Sequence, residues 1–418
     1  MSETIGINLV RYVKELYPRL EPSDQTIARY QETLDDLPPI VIARDGVLVD
    51  GYHRWQAHLR SGRTVIAAEN LGDLADAEIF NESIARNATH GMALSRDDKR
   101  ALAPKLWQAR SHLKVGERIA DLVQLLAVSE RTVQQWTQDI RAQEKAEQQA
   151  RAWDLWLNCR SYRDIADAMD GPDEDTIGRW VSAKAQDCAN ADAPDPHMAF
   201  DVWSYGRYDG DNSRFGKLHP GVVENLLWLF TDPGQIVFDP FAGAGTTIHV
   251  AKQMGRRVWA SDRASAGEYP TLPIHTHDIT TGWPVGAPTK VDFVLLDPPY
   301  WMQAAGRYSD DRADLGNMNL DDFLAAWSVT VKTCAEHVRA SGRLAFIVSP
   351  AQDGDLATGR VVDLAWLMYR ACEDAGLEVE RRIIVPYSTQ QATGQQVDAA
   401  RSHRKLLKLY RDLVVLTA

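Results

Sequence analysis

An α/β fold with a mainly parallel sheet is what the sequence predicts for the C-terminal half of this chain. Three observations carry that expectation. Short apolar runs recur at 236–241, 257–261, 293–296, 343–348, 379–385 and 413–416; helix-type stretches at 246–255, 320–339 and 361–375 lie between them; and the first run passes directly into a glycine-rich turn. Strand and helix alternation of this kind places helices on both faces of the sheet and a ligand site at the carboxyl ends of its strands.

The chain has 418 residues, more than one ordinary core holds, so two or three domains are expected. The run Ala189-Asn190-Ala191-Asp192-Ala193-Pro194-Asp195-Pro196-His197 has no apolar periodicity and reads as a linker over 189–198. It separates the α/β half, 199–418, from a helical region at 96–188 and a small α+β segment at 1–95. In that first segment two β-type runs, 39–42 and 47–49, flank the turn Arg44-Asp45-Gly46, and a helix opens at Asp50-Gly51-Tyr52-His53-Arg54-Trp55. The helical region contains a weak repeat. Residues 122–136 and 165–180 each read as a short apolar helix, a turn with Ser129 or Asp173 as N-cap, and a second helix starting near Thr-Val or Thr-Ile. This is a helix-turn-helix pattern, with plain helical packing around Trp136 and Trp180 as the alternative. The first copy offers Arg131, Gln134 and Gln135, side chains suited to DNA base edges or phosphates. The second has Arg179 among Asp173, Glu174 and Asp175, and is expected to pack or to meet protein.

A net charge of -12 argues against a protein that simply coats nucleic acid, so binding would have to come from local basic patches. Two are present, one between Arg96 and Arg118 and one comprising Arg401, Arg404, Lys405, Lys408 and Arg411; a solvated helix face is the alternative for each. The cysteines Cys159, Cys188, Cys334 and Cys372 are too widely spaced for a disulfide framework or a zinc signature, and no metal is expected. The first residues lack a signal-peptide pattern and no apolar run is long enough to span a bilayer, so the expectation is a cytoplasmic protein without a membrane partner.

The chemistry concentrates in two motifs. In Asp239-Pro240-Phe241-Ala242-Gly243-Ala244-Gly245-Thr246-Thr247, the glycines let a ligand lie against the main chain while the following helix offers free N–H groups. Alone, that pattern leaves dinucleotide or phosphate binding equally open. The next strand ends in Asp262, where it could accept hydrogen bonds from both ribose hydroxyls; a surface carboxylate at a strand end is the alternative. The second motif is Asp297-Pro298-Pro299-Tyr300, at the exit of an apolar strand. Its prolines stiffen the backbone so that the Asp297 carboxylate and the Pro298 carbonyl can face one polar ligand, with Tyr300, and Trp301 beside it, as flat faces for a base. A stiff turn with a packed tyrosine is the structural alternative.

Together the motifs resemble those of the DNA amino-methyltransferases, which make N6-methyladenine or N4-methylcytosine, over residues 199–418. The resemblance implies a Rossmann-like domain with a mainly parallel seven-stranded sheet, and S-adenosylmethionine as methyl donor. It implies donor binding by Asp239, Phe241, Gly243, Gly245, Thr246, Thr247 and Asp262, by Asp278 at the donor's adenine, and by His219 in Lys217-Leu218-His219-Pro220 over its methionine end. Asp297, Pro298, Pro299 and Tyr300 are then catalytic, acting on a base flipped out of duplex DNA. Asp-Pro-Pro-Tyr favours adenine N6 over cytosine N4. Target reading falls to the loop 303–319, which carries Arg307 and Tyr308, to the segment 387–404, which carries Arg401 and Arg404, or to the N-terminal half. A homodimer is admitted. The rival readings are an RNA amino-methyltransferase and a DNA-binding protein with an inactive transferase domain.

The N-terminal Asp50-Gly51-Tyr52-His53-Arg54 resembles the ParB/sulfiredoxin superfamily, in which a Gly-x-x-Arg helix start contacts phosphates. That resemblance implies Gly51, His53 and Arg54 as a nucleotide or phosphate site, or else a retained scaffold that positions DNA. Tyr52 stands where sulfiredoxin has its cysteine, which excludes peroxiredoxin repair.

Overall fold

The structure is a computed structural model that describes residues 2–19, 23–89, 94–169, 171–190, 198–206, 218–263, 272–301, 306, 310–353, 360–386 and 394–417. Its contacts divide the chain into two units, Met1–Glu147 and Gln148–Ala418. Among the described residues no helix is long and apolar enough to cross a membrane.

The first unit begins with β1 (Ser2–Gly6), α1 (Asp24–Gln31), β2 (Ile40–Ala43), β3 (Val47–Asp50), α2 (Tyr52–Arg60) and β4 (Val65–Asn70). Its four-stranded sheet runs β1-β4-β2-β3. The hairpin of β2 and β3 and the helix after it match the sequence reading; β1 and β4 were not legible there. β4 alternates buried and exposed residues, and β1 finds its place only by antiparallel pairing with it. Ile40, Ile42, Leu48 and Ile66 form the core beneath Tyr17. Four helices follow, α3 (Asp76–Thr89), α4 (Arg96–Ala109), α5 (Val115–Leu126) and α6 (Glu130–Trp136). Ser95 and Asp98 close a capping box at the start of α4, and Ser129 caps α6 through the Thr132 N–H at 3.2 Å. Leu122, Leu126, Val133 and Trp107 fill their common core.

The helix α7 (Gln138–Leu157) spans the division between the units. The second unit continues with α8 (Tyr162–Met169) and α9 (Glu174–Ala189), and Asp173 caps α9 through Thr176 N–H at 2.8 Å. The sequence grouped these helices with the preceding helical region; their contacts lie with the C-terminal half. Arg257 stacks on the Trp156 ring at 5.2 Å, and Lys252 pairs with Asp154 at 2.9 Å. Cys188 packs against Gly255 so closely that a Cβ there would meet it at 2.8 Å.

The rest of this unit is α10 (Pro220–Phe230), β5 (Ile236–Asp239), α11 (Thr246–Gln253), β6 (Arg257–Asp262), β7 (Ile274–Thr276), β8 (Val291–Leu296), α12 (Leu320–Ala335), β9 (Val338–Val348), the short pair β10 (Ala351–Asp353) and β11 (Arg360–Val362), α13 (Leu364–Asp374), β12 (Glu378–Pro386), α14 (Gly394–Ser402) and β13 (Tyr410–Thr417). Seven strands form one sheet in the order β12-β13-β9-β8-β5-β6-β7. The pairs from β9 to β7 are parallel, and β13 enters antiparallel to both β9 and β12. The architecture is thus α/β with a mainly parallel seven-stranded sheet. One face packs on α12 and α13 through Trp327, Phe323 and Phe346, the other on α10 and α11 through Val222, Leu226 and Ile248. Three local expectations differ. Residues 338–339 start a strand instead of ending a helix, Val361 lies in β11, and the three-residue β7 carried too little apolar pattern to be read.

Gly255 has φ +74, so a side chain there is strained by its backbone as well as blocked by Cys188. Gly255→Ala is expected to destabilise the chain by about 2 kcal/mol. Chemical denaturation of the full-length variant checks this, and an unchanged midpoint would show that α9 does not pack there in solution.

Candidate active site

The strand order reverses between β5 and β8, and both strands release their loops at the same carboxyl edge. A crevice opens at such a switch point because the two following connections leave toward opposite faces. Asp239 ends β5 and Asp297 follows β8, so both motifs converge there.

Asp239 is buried, and its Oδ1 accepts the Phe241 N–H at 2.9 Å, which pins the first bend of the glycine turn. Burial above all, then the charges of Asp297 and Asp262, push its pKa up to about 7, against the Thr247 hydroxyl and the Phe241 N–H, which pull it down. Gly243 (φ +48) and Gly245 (φ +78) turn the chain in the left-handed region, and Gly245 caps α11 at Thr246. Among the described residues a Cβ on Gly243 would meet nothing nearer than 3.8 Å, which leaves room beside its backbone, whereas one on Gly245 would meet Leu272 at 2.4 Å. The Gly243 N–H donates to Asp262 Oδ2 at 2.8 Å, tying the end of β6 to the turn. Asp278 caps residues 279–281 through Thr280, at 3.0 Å to its N–H and 2.6 Å to its hydroxyl, and pairs with Arg263 at 3.2 Å. Arg263 also pairs with Asp311.

On the β8 side, Asp297 Oδ1 accepts the Tyr300 hydroxyl at 3.1 Å. Burial raises the Asp297 pKa to about 6; the Arg411 charge and the Tyr300 hydroxyl oppose it. Pro298 is buried and Pro299 half-buried. Tyr300 packs on the core formed with α12, whereas Trp301 is buried there, its indole N–H bonded to the Met318 carbonyl at 3.0 Å. Trp301 is therefore part of the support and offers no free face, a correction to the sequence reading. His219 caps α10 by accepting the Gly221 N–H at 3.0 Å, and its ring stacks on Tyr205 with centroids 5.0 Å apart. Its pKa is lowered by burial and then by Arg411.

Sequence reasoning passed over Tyr205, Arg263 and, above all, Arg411. Arg411 was grouped with a surface basic patch; the structure buries it. The available signal was its spacing, because Arg411 is in phase with Leu413 and Val415 on an apolar strand face.

The other expected residues belong to other elements. Arg131, Gln134 and Gln135 are exposed on α6 while Val133 between them is core; Gln134 donates to Glu130 at 2.8 Å. Arg401 pairs with Asp398 at 3.7 Å and Arg404 is exposed at φ +51. Arg307, Tyr308 and Lys217 lie outside the described residues. In the first unit Gly51 (φ +97) starts α2, and Arg54 bonds inward to Asp50 at 2.9 Å. The His53 Nε2 accepts the Ser23 N–H at 2.9 Å, and burial, with Arg19 and Arg54, lowers its pKa to about 4.

Comparison with known proteins finds similarity over parts of the chain. Residues 127–266, about a third of the chain, match the family model of DNA methylases, a match that includes the glycine turn and Asp262 and ends before Asp297. A stretch of 113 residues is 32% identical to the transcriptional regulator NovG of Streptomyces niveus, covering 27% of this chain and 35% of that protein. Another, of 61 residues, is 33% identical to the type II methyltransferase M.BamHI of Bacillus amyloliquefaciens, covering 14% of each. The chain thus spans about a third or less of the length of these relatives. The solved structure of a Pnob8-like ParB-N domain is similar at 17% identity over 33% of this chain and 68% of that one, with a TM-score of 0.26, a level that carries no argument.

The raised Asp239 pKa has a measurable consequence. Between the unfolded value near 3.8 and about 7 the folded chain holds the extra proton, so stability is lost as pH rises through that window. Asp239→Asn keeps the acceptor for Phe241 and is expected to stabilise the chain at pH 8 by about 1–3 kcal/mol, with the gain vanishing near pH 4. Denaturation at the two pH values checks this; a gain independent of pH would refute the buried charge.

Proposed function

We propose that this protein is a DNA methyltransferase that uses S-adenosylmethionine to methylate the exocyclic amine of a flipped base, with adenine N6 as the target. The observation that carries the reading is the convergence of the glycine turn and Asp297-Pro298-Pro299-Tyr300 on one switch point, supported by the DNA methylase match over the first of these.

The residues present fit the donor. Open space along Gly243 accommodates a ligand against the main chain, and three carboxylates, Asp239, Asp262 and Asp297, suit a cationic sulfonium. In this reading Phe241, Gly243, Gly245, Thr246, Thr247 and Asp262 hold the donor, Asp278 stands near its adenine and His219 near its methionine end. When bound, the donor supplies an electrophilic methyl group. The chain supplies the rest. An aromatic amine is a poor nucleophile because its lone pair is delocalised into the ring. Asp297 and the Pro298 carbonyl accept its two N–H bonds, which turns the nitrogen toward tetrahedral geometry and frees the lone pair. Pro299 keeps that corner rigid, and Tyr300 holds the extrahelical base. The preference for adenine rests on the resemblance of Asp-Pro-Pro-Tyr to the adenine branch.

The remaining segments keep distinct jobs in this reading. Arg131, Gln134 and Gln135 on α6 contact DNA, and Arg307, Tyr308, Arg401 and Arg404 approach the flanks of the flipped base. Gly51, His53 and Arg54 belong to a scaffold whose arginine is engaged internally with Asp50, which favours positioning over phosphate binding.

Asp297→Ala is expected to lower methyl transfer by at least about 10³-fold while donor affinity changes less than about threefold. Tritium transfer and equilibrium binding measure the two, and unchanged turnover would remove Asp297 from the mechanism. Wild-type kcat/KM should fall on the acid side with a midpoint near 6, because a protonated Asp297 loses its strength as the acceptor of one of the two bonds. Nucleoside digestion and mass analysis identify the product; N4-methylcytosine or labelled RNA would each replace the target named here. Arg131→Glu in the full chain is expected to weaken duplex binding about tenfold and to flatten its salt dependence, measured by titration at several salt concentrations. Binding equal to wild type would take α6 off the DNA.

A further inference from the structure

Arg411 is the second residue of β13 and is only 9% exposed. Its register partner on one side is Val385 of β12, and the next residue, Asp412, pairs with Val348 of β9 on the other. It therefore sits beside the end of β9, two strands from β8, at the edge where the switch point opens. Side chains alternate along a strand, so Arg411 faces the side of Leu413 and Val415. Those residues share one core cluster with Leu218, Val222 and Leu295. His219 follows Leu218 directly, and Asp297 lies two residues beyond Leu295. A guanidinium, a carboxylate and an imidazole from three elements thus flank one core cluster, near enough for the Arg411 charge to act on both other groups. A buried guanidinium is costly unless an anion compensates it, and Asp297 is a carboxylate on which its charge acts.

We propose that Arg411 is a positioning residue for Asp297: its buried guanidinium supplies the counter-charge that keeps this carboxylate a hydrogen-bond acceptor toward the amine. The proposal rests on the reading of Asp297 given above. The other influences on Asp297 pull in both directions. Burial opposes its ionisation and the Tyr300 hydroxyl favours it, while Asp239, from the end of β5, is itself held toward its protonated form by burial and by the charges of Asp297 and Asp262. His219, at the start of α10, feels Arg411 and is held toward its neutral form, so it adds no competing positive charge near neutral pH. Arg411 is the cation that tips the balance.

The test uses the full-length protein with Arg411→Met, Arg411→Gln and Arg411→Lys, two neutral variants guarding against a failure of either to fold. Two readouts are taken: the pH dependence of kcat/KM for methyl transfer, and the titration of the Asp297 carboxyl by difference infrared spectroscopy, assigned against Asp297→Asn. In the neutral variants both midpoints are expected to rise together by about one pH unit or more. Transfer at pH 6.5 should fall about tenfold and recover in large part by pH 8.5, and Arg411→Lys should restore the wild-type midpoint to within about half a unit. A uniform loss at every pH with unmoved midpoints would overturn the proposal and leave Arg411 a packing residue. If the Asp297 titration moves but no nucleic acid is methylated at any pH, the coupling of the two residues is upheld and the proposed activity is what fails.

Discussion

The reversal of strand order between β5 and β8 is the constraint on which the candidate site depends. Parallel strands on either side of that point send their connections to opposite faces, so the carboxyl ends of two neighbouring strands are left uncovered together. Asp239 and Asp297 are separated by 57 intervening residues in the chain yet stand on adjacent strands. The edge that collects them also collects their electrostatic conflict. Carboxylates withdrawn from water resist ionisation, and both have raised pKa values for that reason; Asp239 is pushed further by the charges of Asp297 and Asp262.

The surrounding structure answers that conflict with fixed donors and one buried cation. The Phe241 N–H and the Thr247 hydroxyl serve Asp239, the Gly243 N–H serves Asp262, and the Tyr300 hydroxyl serves Asp297. These donors come from the turn and the tetrad themselves, so the residues that form the site also stabilise its charges. A cationic ligand would complete the compensation, which is the electrostatic reason why a sulfonium donor suits this crevice.

The two helix pairs show how similar sequence patterns acquire different surroundings. In α5 and α6 the turn is capped by Ser129 and the second helix keeps Arg131, Gln134 and Gln135 exposed. In α8 and α9 the turn is capped by Asp173 in the same way, but Cys188 at the far end of α9 closes on Gly255. The aromatic residues of the preceding helix add to this, with Trp156 packed against Gly234 and under Arg257. The caps reflect local chemistry. The partners reflect which neighbours lack a side chain.

Local order decided what could be read directly. Short-range hydrogen bonding and strand periodicity made the glycine turn, the N-caps at Ser129 and Asp173, the strands around 236–241 and 293–296, and the stiff exit at Pro298-Pro299 legible, because each depends on residues a few positions apart. The strands β1 and β7 were not legible, since a short strand with little apolar pattern is selected by its neighbour's unpaired backbone and not by its own residues. The placement of α9 and the burial of Trp301 and Arg411 belong to the same category. By itself the sequence determined an α/β half with two chemical motifs; only the tertiary structure decided that both open on one edge and that an arginine of the last described strand is buried where its charge acts on Asp297. The physical reason is range: backbone conformation is chosen by near neighbours, whereas burial and electrostatic pairing are set by segments that the chain brings together from far apart.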